Sequence, residues 1–97
     1  MSVLVIGGDR IQTIRKKLSD YGFQNIDHVT GRKKNDKRMD ISENFDLVLV
    51  LTDFIGHTLS KSIKNKGKEK DVKVLFAKRS WTAIEEQVKE FIQCYNK

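Results

Sequence analysis

Two short, unbroken apolar runs constrain this chain more than anything else in it. One is Val3 to Ile6 within VLVIGGDR, and the other is Leu47 to Leu51 within FDLVLVL, the most hydrophobic stretch present. A strand with one wet face alternates apolar and polar residues. A run without alternation reads as a strand covered on both faces, which is the environment of a parallel sheet between helices.

The sequence around these runs changes period. After Arg10, residues Ile11, Ile14 and Leu18 fall at i, i+3 and i+7, an amphipathic helix stripe. Asp9 is a residue of capping type at its start and Gly22 a stop at its end. NIDHV (Asn25 to Val29) reads as a second strand, followed by a basic loop and a turn of helix around Ile41 to Asn44. The third strand is Phe45 to Leu51. Helical spacing then resumes with Ile55, Leu59 and Ile63, capped by Asp53 and ended at Gly67. VKVLFA (Val72 to Ala77) is a fourth strand. The last helix carries Trp81, Ile84, Val88, Phe91, Ile92 and Tyr95, with Ser80 as cap and TAIE (Thr82 to Glu85) as a capping box.

That order predicts an α/β fold, a single three-layer domain over residues 1–97. Its four-stranded parallel sheet has the order 2-1-3-4, with right-handed crossovers and flanking helices. Chain direction across the sheet reverses between strands 1 and 3. Ligands of such sheets bind at that reversal, beyond the carboxyl ends of the strands.

With 97 residues there is room for one core and little surplus stability. A two-fold dimer is therefore expected, through the broad apolar face of the last helix. The first apolar run is too short for a leader peptide, and no run is long enough to span a bilayer. Cys94 has no partner for a disulfide, so a soluble cytoplasmic protein is expected. The formal charge is +6, concentrated in GRKKNDKR (Gly31 to Arg38) and KSIKNKGKEK (Lys61 to Lys70). Such blocks suit phosphates, whether on a small molecule or on nucleic acid; their commoner meaning is a solvated face. Neither block contains the aromatic residues on which single-stranded bases stack.

Four segments should meet at the strand ends: Gly7-Gly8-Asp9-Arg10, His28 to Lys34, Thr52-Asp53 with His57, and Lys78-Arg79-Ser80. From them the candidate ligand-binding residues are Gly7, Gly8, Asp9, Arg10, His28, Arg32, Thr52, Asp53, His57, Arg79 and Ser80. Helix N-termini there would favour a negative group. GGDRIQ is neither a dinucleotide fingerprint nor a Walker loop, so its glycines serve a turn or the close approach of a ligand. Asp53 and His57, four residues apart, are expected on one helix face, where the carboxylate would orient the imidazole. His28, Asp53 and His57 are metal-ligand types, but their spacing matches no recognised signature, and no metal or cofactor is expected. Ser80, His57 and Asp53 lack the nucleophile elbow of a serine hydrolase.

The segments VLVIGGDR, HVTGRKK, DLVLVLTDFIGHTLSKSIK and VLFAKRSW together resemble the bacterial domain-of-unknown-function 2325 family, from Ser2 to Phe91. The most specific parts are the glycine pair, the His of strand 2, the Asp53-x-x-x-His57 arrangement and Lys78-Arg79-Ser80. The resemblance implies a Rossmann-like α/β domain and no particular chemistry. Relatives in that family often carry a Cys in the second crossover helix, where this chain has SIKNKG (Ser62 to Gly67). A thiol role does not carry over.

The expected function is a non-enzymatic module that senses or sequesters a small phosphorylated or nucleotide-like anion. The alternatives are a basic module for nucleic acid or protein and, more weakly, a small hydrolase or transferase with His57 as base.

Overall fold

The computed structural model describes residues 1–30 and 44–95. The elements are β1 (Ser2–Ile6), α1 (Gln12–Asp20), β2 (Asn25–Val29), β3 (Leu47–Leu51), a 3-10 turn (Thr52–Phe54), α2 (His57–Lys70), β4 (Lys73–Ala77) and α3 (Trp81–Tyr95). The strands form one parallel sheet in the order β2-β1-β3-β4, the order expected from the sequence. The basic segment from Gly31 to Arg38 and the helical turn expected from Ile41 lie outside the described residues. No helix among the described residues is long and apolar enough to cross a membrane.

The two unbroken apolar runs are the central strands β1 and β3, and their residues alternate between two cores. Val3, Val5, Leu47, Leu49 and Leu51 meet α1 and α3 through Ile14, Leu18, Ile84 and Val88. Leu4, Ile6, Val48 and Val50 meet Ile63 of α2 on the opposite face. The register sets Val3 beside Leu47 and Val5 beside Leu49, so each face receives matched rows. This gives three layers: α1 and α3, the sheet, and α2.

The helix ends depart from expectation. Asp9 does not cap α1; the N-cap position is Ile11, without a side-chain cap bond. Asp53 does not cap α2, whose N-cap is Gly56. Asp53 lies in the 3-10 turn, outside the helix that starts at His57, so the two do not share a helix face. In both places an isoleucine enters a core just before the helix begins: Ile11 is 5 % exposed and Ile55 9 %. Burying an isoleucine is worth about 1.5–3 kcal/mol. A side-chain cap contributes about 1 kcal/mol. Burial wins.

Gly22 does close α1. Its φ is +101°, its N–H donates to Ser19 O at 3.0 Å, and Phe23 N–H donates to Leu18 O at 3.2 Å. That pair of bonds is a Schellman motif. Gly67 does not end α2; the helix continues to Lys70 and stops at Asp71, whose φ is +57°. Gly67 is instead a contact point, because a Cβ there would collide with Val74 Cγ2 and stand 3.1 Å from Val72 O. The absent side chain lets α2 lie directly on β4.

Ser80 O accepts the Ile84 N–H at 3.1 Å, the backbone role of a cap for α3. The capping box does not form, since Thr82 is already inside the helix. Glu85 Oε2 instead accepts bonds from Tyr21 OH at 2.8 Å and Trp81 Nε1 at 3.3 Å. The broad face of α3 that suggested a dimer is largely used within the chain. Trp81 packs on Tyr21 with ring centroids 5.9 Å apart, and Phe91 stacks on Phe23 at 6.4 Å. Among the described residues Tyr95, 51 % exposed, is the large apolar residue left outside.

Candidate functional site

The site is built where β1 and β3 end side by side. Gly7 continues the β1 ladder by donating its N–H to Val29 O at 2.8 Å, then turns away with φ +111°. Gly8 follows with φ +80°. Left-handed backbone of this kind favours glycine. At Gly7 packing demands it as well, since a Cβ would stand 3.0 Å from Leu51 O and 3.3 Å from Ile55 Cγ1. The first glycine therefore serves the turn and the approach of the β3 loop.

The other strand ends are tied to this turn by polar bonds. His28, half-buried on β2, donates Nε2–H to Gly7 O at 3.0 Å. A carbonyl can only accept, so this bond places the proton on Nε2. Arg79, after β4, donates its backbone N–H to Asp53 Oδ2 at 3.0 Å and Nη2–H to Arg10 O at 3.3 Å. Thr52 Oγ1 donates to Ala77 O at 3.4 Å. All four strand ends are thus connected, and Gly7, Arg10, His28, Thr52, Asp53 and Arg79 are brought together as expected. Asp9 also has a polar partner. Ser80 is exposed at the head of α3.

His57 takes no part in these bonds. Its side chain lines a groove on the outer flank of α2 with Ser60, Lys61, Lys64 and Phe76. That groove is at the β4 edge, whereas His28 stands on the opposite edge strand. Three strand spacings separate those edges, about 14 Å. Asp53 cannot orient His57 through a common helix face, because the helix begins only at His57. Among the described residues no cluster of three or more His, Cys, Asp or Glu side chains could hold a metal ion. Arg32 lies outside the described residues.

Among the described residues three helices begin at this end of the sheet, and none has an acidic residue in its first turn. Acids there are the usual answer to the positive end of the helix dipole. The N-cap residues of α1 and α2, Ile11 and Gly56, make no side-chain cap bond. Arg10 and Arg79 are exposed beside these termini. The local charge suits an anion small enough to sit between loops.

A model of a bacterial family, described as uncharacterized protein conserved in bacteria (DUF2325), matches residues 2–91. The chain belongs to that family. The DUF2325 match runs from β1 to Phe91 of α3, so all four strand-end loops fall inside it. Comparison with the curated proteins and with the solved structures found no match.

Sequence reasoning missed two features of this DUF2325 domain. It did not foresee the polar ties that fasten the loops to one another, because each joins residues 21 to 69 positions apart. It also missed the setting of Phe76, an aromatic of β4 that lies beside the lysines of α2. The strand VKVLFA was legible; that its Phe76 lies beside those lysines was not.

Proposed function

We propose that this protein is a cytoplasmic, non-enzymatic binding module for a small phosphorylated or nucleotide-like anion held at the carboxyl ends of β1 and β3. The observation that carries the reading is the trio of helices that start at one end of the sheet without an acid in any first turn. An external anion would supply the charge those termini lack. Arg10 and Arg79, both exposed, would pair with its oxygens. His28 and Asp53 act as braces: each is bonded to backbone, and neither is presented as a general base.

The test is a thermal-shift screen with inorganic phosphate, pyrophosphate and a panel of nucleotides, followed by calorimetry on any hit. A ligand at 100 times its Kd stabilises the folded state by about 2.7 kcal/mol. In a domain of this size that raises Tm by roughly 10 °C or more. A panel without a single shift would overturn the reading.

A further inference from the structure

We propose that the furrow between α2 and the β4 edge is a second binding surface, and that its ligand is single-stranded nucleic acid. His57, Lys61, Lys64 and Lys68 recur at i, i+4, i+7 and i+11 along α2. At 100° per residue they fall within about 60° of one another, a straight stripe about 16 Å long. The stripe overhangs two grooves, of about 260 Å³ and 500 Å³. Lys64 and Phe76 line both, so they are successive sections of one furrow.

The charge is one-sided. Neighbours at i+3 and i+4 repel when their charges are alike, which makes a lysine ladder mildly unfavourable in a free helix. Glu69, the one acid within α2, falls on a different side from the stripe. Among the described residues none of Lys61, Lys64 and Lys68 forms an ion pair. Among the described residues Asp71 is the one acid lining the furrow, at its far end next to Lys73. Three lysines spread over about 10 Å of helix, without an ion pair among the described residues, exceed what one phosphate group can use and fit the repeated charge of a polyanion.

The floor selects the kind of polyanion. Val74 and Phe76 are half-buried there, and Gly67 keeps helix and strand close, so the floor is apolar and recessed. An unstacked base can reach Phe76 and lie on its ring while the backbone follows the lysines, which is the general design of single-strand grooves. The paired bases of a duplex are not free to enter. The aromatic absent from the basic block in the sequence is delivered by the adjacent strand.

The test is fluorescence anisotropy of a labelled oligothymidylate of about 12 nucleotides, within the usual span of such sites. Titrations at several salt concentrations should give a log–log slope of about −2 to −3, the value for three or four contacted phosphates on a single strand. Lys61→Ala and Lys64→Ala should each weaken binding and flatten the slope by about 0.7. Both are exposed helix positions where alanine favours folding. Phe76→Leu should weaken binding about 5- to 100-fold with the slope unchanged, the mark of lost stacking and not of lost charge. Equal affinity for a duplex or for an acidic peptide would overturn the proposal. So would wild-type affinity in the Lys61→Ala/Lys64→Ala double variant. The crevice is probed separately through Arg10, so either site can fail alone.

Discussion

Asp53 holds Arg79 by its backbone: Oδ2 accepts the Arg79 N–H at 3.0 Å across 26 residues of sequence. This bond fastens the loop after β4 to the loop after β3. It also presents the Arg79 guanidinium toward Arg10, whose carbonyl it reaches at 3.3 Å. An aspartate that the sequence offers as a helix cap thus serves as a tie between loops.

Removing that carboxylate should act at a distance in sequence. Asp53→Ala should lower stability by about 1 kcal/mol, the net worth of one such hydrogen bond. Amide exchange distinguishes the two roles. A lost tie speeds exchange at Arg79, whereas a lost cap would speed it at residues 55–57. Asp53→Asn keeps an oxygen acceptor and should restore most of the protection at Arg79.

Arg10→Ala is the cleaner probe of the crevice. Its side chain is exposed and stands near a helix N-terminus, where a positive charge is mildly unfavourable. Folding should therefore be unaffected, within about 0.5 kcal/mol. Affinity for the anion found by screening should fall more than tenfold, as expected for a lost charge-assisted bond of about 1.5–3 kcal/mol. Calorimetry at fixed ionic strength measures it, and unchanged affinity would remove Arg10 from the site. Gly8→Ala cannot serve this purpose. With φ at +80° an alanine there costs about 1–2 kcal/mol through the backbone alone, ligand or no ligand.

The large features of the fold were legible because they depend on local pattern. Val3 to Ile6 and Leu47 to Leu51 announce buried strands, and their order fixes where the sheet reverses. The helix starts were not legible, since Asp9 and Asp53 match capping statistics while Ile11 and Ile55 follow the demands of cores assembled from distant residues. Gly67 shows the same limit. A glycine after a helical run signals a stop, and only Val72 and Val74 reveal it as a point of close approach. At the site, GGDRIQ left a turn and the close approach of a ligand both open, and the positive φ of Gly7 and Gly8 shows the turn. The expected start of α2 at Asp53 put Asp53 and His57 on a helix face that they do not share.

The true end of α2 gives a stability prediction. Asp71 takes a left-handed φ of +57° at the helix C-terminus, where a carboxylate also faces the negative end of the dipole. Glycine relieves both. Asp71→Gly should stabilise the protein by roughly 0.5–1 kcal/mol, after allowance for the greater freedom of glycine in the unfolded chain. Gly67→Ala, four residues earlier, should do the opposite, by about 1–3 kcal/mol, because the methyl would force α2 away from Val74. Melting curves of the two variants decide which glycine position ends the helix.

The seam between α1 and α3 should make stability depend on pH at both extremes. The bond from Tyr21 OH holds the Glu85 carboxyl below its ordinary value of 4.5, with help from Trp81, Lys89 and Lys17 against partial desolvation. A carboxylate whose pKa is depressed by folding contributes stability above its unfolded pKa, and that contribution is lost as pH falls through the folded value. The same bond raises Tyr21 above its ordinary value of 10.0, and Asp46 does likewise for Tyr95. For groups with raised pKa the stabilisation is complete below pH 10 and is lost as pH rises further. Denaturant midpoints measured across pH should therefore decline below about 4.5 and again above about 10. Tyr21→Phe removes the hydroxyl and should flatten part of both limbs while leaving the Tyr95 share of the alkaline one. Glu85→Gln should reduce the acid limb and leave that same share untouched. If Tyr21→Phe kept the full acid limb, the carboxylates responsible would lie elsewhere, and the Tyr21–Glu85 bond would not form in solution.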